Sequence, residues 1–167
     1  MSPDALRSAR RPMMRALTPA LTAAAVLLSP SAAAARDAPS VDGRERGVVH
    51  RVNAVRAQHG LPPLAIGRRL SRAAYRHSQR MAAARTLTHR TWGEAGLSAR
   101  LRWATGPAKV GETIYWGSGA VRSARIVRAW MDSPGHRAMI LSTGFRTVGV
   151  GVRAGRGGQY VTLDFSS

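Results

Sequence analysis

The chain has 167 residues, with 26 Lys or Arg, 8 Asp or Glu and a formal charge of +18 at pH 7. Hydrophobic residues make up 44% of it, which is too many for a disordered chain, and this length accommodates one globular domain. The absence of cysteine excludes a disulfide-stapled scaffold, a cysteine zinc finger and a thiol nucleophile. Lys109 is the sole lysine, and codon bias in a GC-rich genome also produces such an excess of Arg, so charge alone does not establish an anionic partner.

The first 35 residues have the three parts of a secretory signal peptide. Arginines from Arg7 to Arg15 form a basic region, residues 16–28 are apolar, and an Ala-rich end favours cleavage near Ala35. The apolar stretch is short for a membrane span, which takes about 20 residues, although an uncleaved anchor is the alternative. The predicted organisation has three parts: a signal peptide over 1–35, a linker over 36–43 and one domain over 44–167.

Removal of residues 1–35 leaves 22 basic and 7 acidic residues, a net charge of +15. No other segment of the sequence is apolar enough to cross a membrane, so we expect a secreted or extracytoplasmic protein, and a monomer. Its Arg-rich faces are suited to anionic surfaces such as teichoic acids or phospholipid headgroups. Aromatic residues are sparse, at 5%, which argues against a base-stacking platform for nucleic acid.

Apolar residues at helical spacing predict two helices in the first half of the domain. The first covers 44–59, and Gly60 can supply its left-handed cap. The second covers 68–85, where the arginines form a solvated basic face. The opposite face of this helix carries four residues that we expect to be buried: Leu70, Ala74, His77 and Met81.

The middle of the domain alternates short elements with glycine-rich turns. We predict a short helix over 94–104 and an extended segment over 110–116. Residues 117–119 read Gly-Ser-Gly and predict a turn, after which Ser118 is a suitable N-cap for a helix over 120–131. In the predicted order of elements, the strands therefore come late in the chain and after the first helices.

The last part of the chain contains the clearest local signal. Ser133 followed by Pro134 combines an N-cap residue with the residue preferred at the first helical position, and the helix should end near Leu141. Alternating apolar residues at 148–152 and 161–165 predict a closing hairpin. Early helices and late strands together indicate the α+β class, with a sheet on which helices pack.

Acidic residues are rare, so each acid or histidine is informative, although a histidine taken alone is more often structural. His136 differs because it falls in the first turn of a predicted helix. The positive end of the helix dipole there lowers the pKa of the imidazole, and a neutral ring can bind a metal or accept a proton. Glu112 lies between apolar Val110 and Ile114, so its burial requires a positive group beside the carboxylate.

Several segments, in order along residues 45–165, carry a resemblance to a known family: Asn53-Ala-Val-Arg56 with Gly60-Leu-Pro-Pro-Leu64, the stripe from Leu70 to His89, Val110-Gly-Glu112-Thr-Ile114, Trp130-Met-Asp-Ser133-Pro-Gly-His136-Arg, Gly149–Val152 and Tyr160–Phe165. The third resembles a Gly-Glu-Asn-Ile motif and the fourth a Trp-x-x-Ser-Pro-Gly-His-Arg motif. Both motifs are those of bacterial SCP-type members of the CAP superfamily, which also contains cysteine-rich secretory proteins, antigen 5 and plant pathogenesis-related proteins.

The resemblance implies an α-β-α sandwich, with an antiparallel sheet between helical layers and a surface cleft that holds two His and up to two Glu. His89, Glu112 and His136 match three of these positions. Ser133 stands where many animal and plant members carry the second acid, so the full set of four is incomplete.

We therefore expect an extracellular binding or effector module whose cleft holds a divalent cation such as zinc, with His89, Glu112 and His136 as metal ligands. Its further ligand would be a small molecule, a lipid or a cell-wall component. One alternative is a metal-dependent hydrolase of peptide, ester or cell-wall substrates, in which Glu112 and His136 are catalytic. The other is a binder of lipid or anionic cell surfaces. We favour a non-catalytic role, because a site of this shape need not be catalytic.

Overall fold

A computed structural model describes residues 42–167, and the predicted signal peptide and most of the predicted linker lie outside them. Helix α1 (Gly43–Gln58) begins one residue before the predicted position. Its N-terminus is a capping box, in which the Asp42 carboxylate accepts the backbone N–H of Glu45 at 2.9 Å and the Glu45 carboxylate accepts that of Asp42 at 3.0 Å. Gly60 adopts the left-handed φ of +69° expected of a residue that ends a helix.

Helix α2 (Arg68–Ala84) confirms the predicted amphipathic face, since Leu70, Ala74, His77 and Met81 are all buried. A two-residue strand, β1 (Ala65–Ile66), precedes it and was not predicted. Strand β1 is parallel to the first strand of the closing hairpin.

The sheet has the strand order β1-β3-β4-β2. Its long strands are β2 (Val110–Ser118), β3 (Thr147–Gly155) and β4 (Gly158–Ser166), and β4 pairs antiparallel with both others. Every residue of β4 is buried, because this central strand is covered on both faces. The predicted hairpin and α+β class are thus confirmed.

Helices cover both faces of the sheet and form the expected α-β-α sandwich. On one face, α2 lies directly against β3, where a Cβ atom at Gly149 or Gly151 would come within 2.2 Å of the α2 backbone. On the other face lie α1 and α4 (Ser123–Asp132), around the main hydrophobic core. Its buried members come from α1, the loop after it, α4, α5 and the hairpin with its preceding loop: Val48, Val49, Val52, Leu64, Ile126, Val127, Trp130, Ile140, Phe145, Val148, Val150, Val161, Leu163 and Phe165.

Two predicted helix boundaries were wrong. Helix α3 covers Leu97–Thr105, so Glu94 lies in the loop before it and not at the start of a helix. Ser118 belongs to β2, where it pairs with Gly158, and the N-cap of α4 is Arg122. Pairing with β4 extended the strand through the segment whose local sequence indicated a turn. By contrast, α5 (Pro134–Ile140) begins at the predicted Ser133-Pro134 step.

No helix among residues 42–167 combines the length and the apolar character that a membrane span requires.

Candidate functional site

A surface cleft of about 450 Å³ is lined by all three predicted site residues. His89 lies in the loop after α2, Glu112 on β2 and His136 in the first turn of α5. The remaining lining is mostly apolar, and includes Leu97 and Met139. Three side chains that are far apart in sequence are thus neighbours, while their role as metal ligands stays a prediction.

The close packing of α5 against β2 brings His136 to the cleft. Gly111 makes this possible, because a Cβ atom there would lie 2.9 Å from the Met139 sulfur and 2.9 Å from the Phe145 ring. The end of α5 is fixed by Arg56, a fully buried residue of α1 whose guanidinium donates to the carbonyl oxygens of Ile140 at 2.6 Å and Ser142 at 2.9 Å. Arg56, which does not line the cleft, therefore helps to fix the helix that carries His136.

His89 is held by a hydrogen bond between its Nδ1 and Glu112 Oε1, at 2.8 Å. The two groups differ in burial, since the His89 side chain is 59% exposed and that of Glu112 is 1% exposed. The hydrogen bond to Glu112 raises the pKa of His89, and this outweighs the lowering caused by burial. Because Nδ1 is bound to the carboxylate, Nε2 is the nitrogen left for a ligand.

The His136 ring lies across the cleft, with its centroid 6.3 Å from that of His89. Its pKa is lowered, as the sequence predicted, but for a different reason. Burial is the main cause, and the positive charge of a protonated His89 is the second. The neutral ring expected at this position therefore follows from tertiary packing.

Glu112 is the point where the cleft meets a group of buried charges. Its Oε2 accepts a hydrogen bond from Arg100 Nη2 and lies 3.6 Å from His77 Nε2. Burial raises the pKa of Glu112, but His89, Arg100 and His77 together outweigh it, so the pKa lies below its ordinary value. The positive group that burial of this carboxylate was predicted to require is Arg100.

Behind Glu112, His77 and Glu94 form a hydrogen bond, with His77 Nδ1 and Glu94 Oε2 2.9 Å apart. His77 Nε2 faces the carbonyl oxygen of Thr88 at 3.0 Å. Both ring nitrogens thus face acceptor oxygens. Burial raises the pKa of Glu94, but hydrogen bonds from Thr91 and His77 lower it further than burial raises it.

Asp164, on β4, completes the group and is fully buried. Its Oδ1 lies 3.7 Å from Arg100 Nη2. Burial and the neighbouring charge of Glu112 raise its pKa well above the ordinary value. We call His77, Glu94, Arg100, Glu112 and Asp164 the buried charge cluster.

Four of these five residues were not predicted as part of the site. His77 was assigned to the core face of α2, and the signal that it needed a partner was its titratable ring among apolar residues. Glu94 was placed in a helix, and neither Arg100 nor Asp164 was distinguished from its surroundings. Among residues 42–167, no group of three or more His, Asp or Glu is arranged as a ready-made metal centre.

Comparisons with known proteins place these features in context. The Cysteine-rich secretory protein family, CAP, matches residues 49–165. Uncharacterized protein YkwD of Bacillus subtilis (strain 168) is 35% identical over 114 residues, which are 67% of this chain and 43% of that protein. This chain therefore spans less than half the length of that curated relative.

Solved structures of similar fold agree with the family match. An extracellular protein containing an SCP domain, from Bacillus anthracis str. Ames, is 26% identical with a TM-score of 0.65, over 72% of this chain and 39% of that one. NaASP2, solved with Zn²⁺, is 12% identical with a TM-score of 0.57, over 77% of this chain and 81% of that one. The second likeness extends to the fold alone.

Proposed function

The chain belongs to the cysteine-rich secretory protein (CAP) family, and on that premise we propose that it is an extracellular binding module whose cleft takes up a divalent cation through His89 and His136. The observation that carries the proposal is the pair of imidazole rings, 6.3 Å apart at their centroids, on one open cleft. The extracellular SCP-domain protein of Bacillus anthracis supports an exported location.

The donor chemistry fits zinc. Histidine imidazoles are common zinc ligands, and the cleft offers two of them. The lowered pKa of His136 favours the neutral ring, which is the form that binds a metal. Zinc bound there would act as a Lewis acid with coordination positions open to water or to a ligand. The CAP-fold structure of NaASP2 solved with Zn²⁺ is consistent with this choice of metal.

Glu112 is assigned here as the residue that orients His89. Its Oε1 holds His89 Nδ1 and its Oε2 holds Arg100, so both oxygens are engaged. Metal-binding histidines commonly donate their second nitrogen to a carboxylate, which fixes the ring and its tautomer. This arrangement also favours binding over hydrolysis, because a general base requires a carboxylate oxygen free to take a proton from water.

Zinc titration by calorimetry tests the proposal on the wild type and on His89→Ala, His136→Ala and His50→Ala variants. His50 is exposed on α1 and provides the matched control. We expect one site in the wild type and in His50→Ala, and loss of that site in the other two. Unchanged zinc affinity in a folded His89→Ala/His136→Ala double variant would refute the proposal.

A second candidate function is attachment to anionic surfaces, favoured by the loop that carries His89. In this loop Trp92 is 100% exposed and Leu87 is 48% exposed, next to exposed Arg85 and Arg90. Indole rings favour the membrane–water interface, and arginines favour anionic headgroups.

Vesicles of phosphatidylglycerol test this second function by sedimentation. We expect Trp92→Ala to weaken binding more than Trp103→Ala, because Trp103 is 44% exposed and already stacks with Arg76. Binding should fall as salt is added. Equal binding by both variants would exclude Trp92 as the anchor.

A further inference from the structure

A second cavity, of about 500 Å³, lies at the N-terminal ends of α1 and α4 and shares no lining residue with the histidine cleft. Four polar side chains line it: Arg44, Arg122, Ser123 and Gln159. The rest of its wall is aliphatic, and includes Val48 and Ile126.

Gln159 is the buried polar group of this cavity, at 4% exposure. Its Oε1 accepts the backbone N–H of Val121 at 3.0 Å. Since only the oxygen of an amide can accept, the NH₂ group is the part that remains, and it has no partner among residues 42–167. The NH₂ group is therefore open to the cavity and available to donate to a ligand.

The start of α4 adds further donors. Its N-cap, Arg122, makes no side-chain capping bond, so the first backbone N–H groups of this ten-residue helix, including that of Ser123, have no intrahelical acceptor. The positive end of the helix dipole lies at the same place. A helix start lined by two arginines and an unpartnered amide NH₂ is suited to a negatively charged group.

Both guanidinium groups are available, because neither Arg44 nor Arg122 forms an ion pair within the described part of the chain. The nearest acids in sequence, Asp42 and Glu45, do not line the cavity. Their carboxylates accept backbone N–H groups at the start of α1, and Glu45 also accepts that of Val152 at 3.1 Å.

We propose that this cavity is a binding site for a small organic phosphate. Two guanidiniums, an amide NH₂ and a helix N-terminus are all donors, which matches the several acceptor oxygens and the charge of a phosphate group. The aliphatic wall and the cavity volume accommodate an organic substituent as well. The site is independent of the proposed metal, because it uses none of the residues of the histidine cleft.

Inorganic phosphate and glycerol 3-phosphate are the probes, titrated at constant ionic strength and followed by backbone amide chemical shifts. We expect saturable shifts at Val121, Arg122 and Ser123, with tighter binding of the ester than of inorganic phosphate. Phosphatidylglycerol vesicles form a separate arm, which distinguishes a lipid headgroup from a soluble phosphate ester.

Two variants carry the test. Arg44→Gln/Arg122→Gln should weaken binding about tenfold or more through loss of charge-assisted hydrogen bonds. Gln159→Glu keeps an acceptor for Val121 but places a carboxylate in the site, so binding should be lost. Arg102→Gln removes one exposed positive charge on α3, which packs against α2 in the other helical layer, and should leave binding unchanged.

Shifts scattered over all arginine-rich faces, or a loss of affinity in Arg102→Gln equal to that in the double variant, would overturn the proposal, since phosphate would then bind by net charge alone. Absence of saturable shifts in the wild type would overturn it as well. The double variant keeps the test decisive if Gln159→Glu does not fold, because Arg44 and Arg122 are exposed.

Discussion

The open side of the cleft and the buried charge cluster behind it are built in different ways. His89 and His136 lie on a loop and on a seven-residue helix, and the side chain of His89 is 59% exposed. The cluster behind them is nearly closed to solvent, and the exposed fraction of both His77 and Asp164 is 0%. Most of its residues belong to long regular elements, α2, α3, β2 and β4.

Because of this difference in burial, we expect changes at the cleft histidines to affect binding and changes in the cluster to affect stability. His89 is exposed and His136 is half-buried, so both can be replaced at a smaller cost to the fold than the residues of the cluster. The cluster holds charges that are costly in a low-dielectric interior unless each keeps its partner. Glu112 belongs to both regions, because it is bonded to Arg100 in the cluster and to His89 in the cleft.

The largest expected effect follows from removal of Arg100. Arg100→Ala leaves Glu112 without its main cation, and we expect a loss of about 3–5 kcal/mol in the free energy of unfolding. Arg102→Ala is the matched control on the same helix, and as an exposed surface substitution it should change stability by about 0.5 kcal/mol or less. Urea denaturation followed by circular dichroism measures both. Similar values for the two variants would mean that the cluster does not depend on Arg100.

A smaller loss is expected where α5 meets β2. In Gly111→Ala the new methyl group would collide with Met139 and Phe145, which we expect to cost about 1–3 kcal/mol and to move His136 away from His89. Gly135→Ala adds a methyl group within α5 where no atom lies within 4 Å. Thermal unfolding should show a lower Tm for the first variant and an unchanged or higher one for the second. A wild-type Tm in Gly111→Ala would contradict the proposed tight contact.

The smallest expected effect is a difference in pKa between His89, which is exposed, and His136, which is half-buried. NMR titration without metal should give a pKa above 6.5 for His89 and below 6.5 for His136. Because the folded-state pKa of His89 exceeds its unfolded value, its contribution to stability is full below the unfolded pKa and disappears as pH rises through the folded one. In Glu112→Gln the pKa of His89 should fall, since the hydrogen bond to the Glu112 carboxylate is the main cause of the raised pKa. An unchanged His89 pKa in that variant would contradict the role of Glu112.

Local sequence was enough to predict the elements whose signals are strong. The apolar face of α2 and the Ser133-Pro134 start of α5 were both predicted, since each rests on short-range periodicity or capping. The family resemblance supplied the three cleft residues. Strand β1 was missed because two residues carry no periodicity, and Ser118 was misassigned because pairing with β4 overrode a local turn signal.

The buried charge cluster could not be found in this way. Arg100 is one of many arginines, and no local feature separates a buried arginine from those on the solvated faces. Glu94 meets His77 across 17 residues, from a loop that has no regular pattern. Asp164 is buried because β4 is the central strand, and strand order depends on contacts across the whole domain.

The most direct measurement of the central claim is a crystal structure grown with zinc, with anomalous data recorded at the zinc edge. Zinc shared by His89 and His136 predicts one strong peak in the cleft, about 2.0–2.1 Å from a nitrogen of each ring, with Glu112 still bound to His89 Nδ1. Strong peaks only at surface histidines such as His50 or His59, with none between His89 and His136, would contradict it.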